Sequence, residues 1–407
     1  MSDDTAPRAP HGAALYLAFV QFLFVTCWTV YVIYLPALLE AAGLPRHYAP
    51  WILILDQVTF MVMDVVMGVA ADRAARTLGR IGPFIMGLTA FSCVAFLLIP
   101  HVAIAGAATP VLMIALVLMW TVTSSALRAP PWVLLDRQTA ARGVPWMNAL
   151  MLTGLAVGGA VAPYLGVTLK NVEPRLPFAV SSLALLLATA GLVWVERALP
   201  ERPVRPAGDD TPSRLKPGSW WFAAGCLLLA LGFQAHFSLN SAGQYLRLAV
   251  ADRLPYLMPV FWVGFNLAMF PGAALARRHG TLPVIAAAAL AGAAAALASA
   301  HARDLDFLIA AQLVAGGAWG CIMMASFSAA LEFGRAGREG LAVGLLFAAL
   351  AGATLVRIVA VLADLPRQPG LAPVLEWTPI ALWLGGGLLF AALAFGVARG
   401  RVAGDAR

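Results

Sequence analysis

Charge is what this chain has least of. Asp, Glu, Lys and Arg make up 12% of its 407 residues, whereas 61% are hydrophobic, and the mean hydropathy is +0.83. A water-soluble domain of that composition would expose more apolar surface than its polar side chains could interrupt, which excludes a soluble globular fold. Cysteine is also scarce. Cys27, Cys93, Cys226 and Cys321 all lie in apolar runs without C-x-x-C spacing, which removes a disulfide framework and a thiolate metal site. No nucleophile elbow, H-E-x-x-H or P-loop occurs, so neither an enzyme nor a nucleotide-driven machine is indicated, and no cofactor or bound metal is expected. The net charge of +7 would suggest a nucleic-acid partner in a soluble protein. Here the arginines sit between apolar runs, where they act as topology signals, and no nucleic-acid partner follows.

What the chain has in abundance is membrane-length apolar sequence. Twelve stretches can cross about 30 Å of hydrocarbon as helices: 12–36, 49–71, 81–101, 109–129, 145–168, 176–196, 219–246, 255–276, 281–300, 305–330, 339–364 and 375–398. The fold class is an all-α polytopic membrane protein whose partners include membrane lipids. The basic residues test the count independently. With the polar segment Met1 to His11 read as a cytoplasmic tail, eighteen of the twenty-seven Lys and Arg residues fall in the tails and even-numbered turns, and seven fall on the other face. Such alternation fixes both termini in the cytoplasm of a multi-pass cell-membrane protein.

One long polar segment, 199–218, carries five prolines and divides the chain into an N-terminal half (1–198) and a C-terminal half (219–407) of six helices each; its composition is that of a linker. The second and eighth spans both end in small residues and a basic turn, which suggests pseudo-symmetric halves. Gly154, Gly158, Gly159, Gly316, Gly317, Gly320 and Gly385 to Gly387 are expected to permit close helix packing. Pro259 and Pro271 are expected to kink the eighth span.

Charged residues inside apolar spans need a partner or a wet cavity. Asp56 and Asp64 lie eight residues apart in the second span, Arg128 late in the fourth and Arg357 in the eleventh. Asp56 and Asp64 are candidates for a coupling proton, and Asp56, expected to lie farther from Arg128, is the favoured carrier. Arg128 is placed either as the ion-pair partner of Asp64, which weakens an anionic-substrate reading and leaves Trp28, Tyr31, Gln234 and Asn240 to recognise a neutral, ring-containing solute, or as a cavity contact for an anionic substrate, and Arg357 can supply a second cation. Neutral candidates for substrate contact are Gln21, Trp28 and Tyr31 in the first span, the polar set Gln234, His236, Asn240 and Gln244 in the seventh, and Asn266 in the eighth. The seventh span is expected to be kinked or discontinuous.

The turn between the second and third spans holds Gly68-x-x-x-Asp72-Arg73, then Arg76, Gly79-Arg80 and Pro83-Phe84. With twelve spans and a central linker, this pattern resembles the major facilitator superfamily across the whole chain. The extended turn and the fourth-span sequence Leu127-Arg128-Ala129-Pro130-Pro131-Trp132 are similar to the glycoside-pentoside-hexuronide cation symporters, typified by melibiose permease. That group has two acids one turn apart in the second span; here Asp64 takes the second position and Phe60 the first, and a site with one carboxylate and a guanidinium is a poor sodium site. The resemblance implies two pseudo-symmetric six-helix halves working by alternating access; the residues themselves add secondary transport of a small organic solute, proton coupling through Asp56 or Asp64, and a monomer. Asp72, Arg73 and Arg80 would latch the cytoplasmic ends, with Arg277 and Arg278 in the related turn. The alternatives are a transporter-like scaffold or assembly factor, and a transition-metal carrier using Met258, Met269, Met323, Met324, His236 and Cys321.

A reporter fused after Arg407, or inserted beside Arg205, is expected on the cytoplasmic side, and one inserted beside Lys170 on the opposite side. Accessibility labelling in intact cells checks the assignment, and a reversed signal at any of the three overturns it.

Overall fold

A computed structural model describes residues 11–77, 80–105, 110–137, 139, 141–198, 218–334, 337–368 and 370–405. Gly79, Arg335, most of the linker and the extreme termini, which bear on the topology and linker readings, lie outside these. Among the described residues, twelve helices are long and apolar enough to span a membrane: α1 (His11–Ala41), α2 (Arg46–Arg76), α3 (Gly82–Ile104), α4 (Pro110–Asp136), α5 (Val144–Thr168), α6 (Arg175–Glu196), α7 (Ser219–Leu246), α8 (Ala251–His279), α9 (Thr281–Ala300), α10 (Leu305–Gly334), α11 (Glu339–Leu362) and α12 (Pro373–Gly396). Buried apolar side chains gather in one large core and a smaller cluster around Tyr245, Leu257 and Leu308, and the rest lie on the outer surface, as the hydropathy requires.

The helices pack as two six-helix groups, α1–α6 and α7–α12, that meet along α2 with α11 and along α5 with α8. These seams are mutual equivalents if the second half repeats the first. Small residues set the approach distance. A methyl group on Gly68 would run into the backbone carbonyl of Gly340, one on Gly340 into that of Gly68, and one on Gly344 would lie 2.5 Å from the carbonyl oxygen of Asp64, so α2 and α11 touch main chain to main chain. In the other seam Gly159 lies against the Trp262 ring. Gly154, Gly316, Gly317 and Gly320 make the close contacts expected of them, whereas Gly385 faces open space. Pro259 opens the long segment of α8 after a short preceding turn, and Pro271 lies within it.

At the face where α1 begins and α12 ends, the two halves are sealed together. Asp72 on α2 accepts hydrogen bonds from the backbone N–H groups of Gly340 (2.7 Å) and Leu341 (3.0 Å), at the N-terminus of α11. Those N–H groups have no partner inside their own helix, and the positive end of the helix dipole favours a carboxylate there. Arg76 donates to the Gly337 carbonyl at 2.7 Å. Deeper in, Asn148 donates to Ser328 (2.9 Å) and Trp132 stacks on Phe327 at 3.8 Å, each pair joining the two halves. Glu196 performs the same helix-capping service within the first half, accepting from Ile81 (2.7 Å) and Gly82 (2.9 Å) at the start of α3. On the opposite face the halves meet edge to face at Tyr164 and Tyr256, with ring centroids 5.6 Å apart.

Gly340→Ala is expected to destabilise the protein by about 1–3 kcal/mol, because backbone rather than a movable side chain occupies the space. Gly385→Ala should be neutral or stabilising. Thermal unfolding of the purified variants checks the contrast.

Candidate functional site

The local sequence Arg128-Ala-Pro-Pro builds the centre of the molecule. Pro130 and Pro131 have no N–H, so the carbonyls four residues earlier lose their helical donors. α4 accordingly breaks: a tight turn covers Ser125–Leu127, Arg128 takes φ −94° and ψ −85°, and helix resumes over Ala129–Arg137. The span expected to end at 129 therefore continues past its prolines, which fall in the first turn of the new segment where a missing N–H costs nothing. Gln21 of α1 replaces a missing donor, its Nε2 reaching the Leu127 carbonyl at 2.6 Å.

The break delivers Arg128 to the centre of the bundle. Its Nε lies 2.7 Å from Asp64 Oδ1, and its guanidinium sits between the rings of Phe60 and Phe347, 4.6 Å and 4.8 Å from their centroids. Asp64 is fully buried, and neither of its oxygens accepts an aligned hydrogen bond from a described residue, so charge at close range holds the pair. The Arg128 side chain, in contrast, keeps 17% exposure and forms part of a cavity wall.

Asp56 is sealed in elsewhere. It accepts from the Tyr31 hydroxyl and meets the Thr121 hydroxyl, each at 2.8 Å, and Tyr31 and Trp120 cover it with stacked Trp28 beyond. Thr121 Oγ1 also lies 2.9 Å from the Val117 carbonyl. A hydroxyl has one hydrogen, so Thr121 serves Val117 and Asp56 together only when Asp56 brings a proton of its own.

Between the halves, on the far side of the seal, lies a cavity of about 320 Å³. The first half contributes Gln21, Phe24, Trp28, Leu53, Gln57, Phe60 and Arg128, and the second Phe233, Gln234, Trp262, Trp319, Met323, Phe347, Thr354 and Arg357. Arg357 differs from Arg128. Among the described residues no carboxylate lies within ion-pair distance of it, and its buried Nε has no hydrogen-bond partner. A guanidinium left so within an apolar span costs about 3 kcal/mol unless water or an anion answers it.

Of the residues expected to contact substrate, Gln21, Trp28, Arg128, Gln234 and Arg357 line this cavity. Five do not. Tyr31 is turned to Asp56. His236 is buried, its Nε2 3.1 Å from Gln312 Oε1, and Gln312 in turn donates to Gln244 at 2.9 Å, so both belong to a network inside the second half. Asn240 donates to the Leu375 carbonyl at 2.8 Å, and Asn266 to the Trp262 carbonyl of its own helix at 3.0 Å. The expected interruption of α7 is a wide-turned π segment, Gln234–Asn240, without loss of helix. It brings Gln234 to α11, where its Nε2 donates to Thr354 at 2.9 Å.

Sequence reading missed Gln57 and Phe60, although Leu53, Gln57, Phe60 and Asp64 recur at helical spacing on one face of α2. On α11 it named Arg357 but missed Phe347 and Thr354. Asp72 meets the α11 N-terminus, while Arg73, Arg80, Arg277 and Arg278 are exposed. Of the residues of the metal reading, Met323 lines the cavity, His236 faces Gln312, Cys321 Sγ contacts the Ala268 carbonyl at 3.2 Å, and Cys321 and Met324 both lie beside Gly272; among the described residues no group of three or more His, Cys, Asp or Glu gathers to hold a metal.

Comparison with curated proteins finds no match. Among solved structures, the human organic anion transporter MFSD10 superposes with a TM-score of 0.67 at 15% identity, over 95% of this chain and 99% of that one. A bacterial homologue of the iron transporter ferroportin, in an outward-facing state, gives 0.70 at 15% identity over 93% and 98%. The E. coli fucose:proton symporter FucP gives 0.69 at 15% over 95% and 99%. At these identities the likeness is one of fold. The family model of the Major Facilitator Superfamily matches residues 17–356, and with twelve spans in two six-helix halves around a central cavity, the chain belongs to that superfamily and is a membrane transporter rather than an enzyme.

Proposed function

We propose that the protein is a secondary active transporter of a small organic anion with an apolar, ring-containing body. It works by alternating access in the cell membrane, with coupling to protons. The observation that carries the reading is Arg357, a cation on the cavity wall without a carboxylate partner among the described residues. A bound carboxylate would give its planar donor fork the bidentate partner it lacks. Trp28, Phe60, Trp262 and Phe347 from both halves offer ring faces to an apolar body, and the amides of Gln57 and Gln234 can orient polar substituents. A volume of about 320 Å³ lies near the lower end of the 300–1,000 Å³ typical of small-molecule sites, which suits a single metabolite rather than an oligomer.

The seal and the cavity together support an outward-facing state, if the termini are cytoplasmic. In that state Asp72 holds α11 against α2, and transport to the cytoplasm requires this contact to open while the cavity closes toward the opposite face.

In thermal-shift assays, small aromatic carboxylates are expected to stabilise the purified protein more than their neutral amides. Arg357→Gln should weaken that effect by about 1.5–3 kcal/mol, roughly ten- to hundredfold in affinity. Stabilisation by neutral solutes alone, unchanged in Arg357→Gln, would show the anion reading to be wrong. Asp72→Asn is expected to lower the stability of the sealed state by about 1–2 kcal/mol. Greater accessibility of a cysteine introduced at Ser328 to a thiol reagent would report that loosening; unchanged labelling would remove Asp72 from the seal.

A further inference from the structure

A carboxylate and a guanidinium in contact normally share aligned hydrogen bonds and are buried alike. Asp64 and Arg128 do neither. Asp64 is fully enclosed and, among the described residues, has Arg128 as its one ionic partner and no aligned donor on either oxygen, whereas Arg128 is partly exposed on the cavity wall with its Nε turned to Asp64. A guanidinium has five N–H groups, so the remainder of its fork is free to face the cavity. An anion entering there competes with Asp64 for the same cation. Withdrawing one partner from a buried pair leaves the other charge uncompensated, which is strongly unfavourable.

We propose that Asp64 is the coupling group: when the anionic group of the substrate takes Arg128, Asp64 accepts a proton, so one proton binds with each anion. This rests on the anion reading given above and names its coupling residue. The step balances in charge: the cavity gains an anion, Asp64 goes from carboxylate to carboxylic acid by taking a proton from water, and Arg128 keeps its charge throughout. Among the described residues no other ionisable group is placed to do this. On α2 the neighbours are Asp56 and Asp72, each about two turns away along the helix. α11 presents Gly344 and Phe347 to this region, and its Arg357 lies further along. α4 contributes Arg128 itself, with Asp136 and Arg137 only at its far end. Asp56 is shut behind Tyr31, Trp120 and Trp28 with both oxygens engaged by hydroxyls, and has no contact with either arginine.

The arrangement also gives the pair a route to the seal. The Arg128 guanidinium rests on Phe347, Phe347 meets Phe327 edge-on at 5.1 Å, and Phe327 stacks on Trp132 at 3.8 Å across the two halves. Movement of Arg128 toward a substrate loosens the first contact in that series.

The test is proton uptake by purified wild-type protein in weakly buffered detergent solution, titrated with the aromatic carboxylate that gives the largest thermal shift. Uptake close to one proton per anion bound is expected. Asp64→Asn should abolish uptake and make anion affinity independent of pH, while Asp56→Asn should leave uptake intact. Anion binding without proton uptake by the wild type overturns the coupling role while leaving the anion reading standing. Uptake that survives in Asp64→Asn, or disappears in Asp56→Asn alone, overturns the assignment to Asp64. Should Asp64→Asn fail to fold, the wild-type stoichiometry decides whether coupling exists, and Asp64→Glu, which keeps the ionisable group, must retain uptake or the assignment falls.

Discussion

A guanidinium cannot rest in hydrocarbon without an answering charge, and much of the centre of this protein is arranged around meeting that condition for Arg128. The two prolines that follow it interrupt α4 and turn its side chain inward. Gln21 mends the backbone that the prolines damage, so α1 is tied to the break. Asp64 answers the charge from α2, and a phenyl ring from each half encloses the guanidinium. One helix from each half thus closes on a single side chain, while α1 braces the break that presents it. Arg357 meets the same condition in a different way: it has no carboxylate partner among the described residues and faces the cavity, where water or solute must serve.

The separation between the two acids of α2 is equally physical. Asp56 lives among hydroxyls and Asp64 beside a cation, although both are eight residues apart on one helix and equally buried. Hydroxyls can satisfy a neutral acid group completely. A lone cation can satisfy only a charged one, and only while it stays.

The fold was legible because its signals are additive. Each apolar run needs only length and composition to declare itself, and eighteen basic residues distributed on alternate turns repeat the same message. The site was less so. Arg128, Arg357, Asp56 and Asp64 announced themselves as charges in lipid-length sequence, and the Arg128–Asp64 contact was one of two stated alternatives. Which polar groups face the cavity could not be read in the same way. His236, Gln244 and Gln312 satisfy one another within a half, while Gln57 and Thr354, less conspicuous in sequence, border the space between halves. Polarity tells that a residue needs a partner; whether that partner is protein or cargo depends on helix rotation and crossing, which no single span encodes. The capping of α11 by Asp72 was hidden for a related reason, since its partners are backbone N–H groups 268 and 269 residues away.

The main-chain contact between α2 and α11 has a consequence for how a released solute would leave. Where side chains interlock, separation demands new rotamers and exposes apolar surface. Gly68, Gly340 and Gly344 offer no such teeth, so the helices can part by sliding. The surfaces they uncover carry the carbonyls of Asp64, Gly68 and Gly340, each bonded along its own helix yet holding a second lone pair for water, in a strip running from the ion pair toward the membrane edge. Water would enter along that strip as soon as it opened, and the exit would be wetted by the backbone itself.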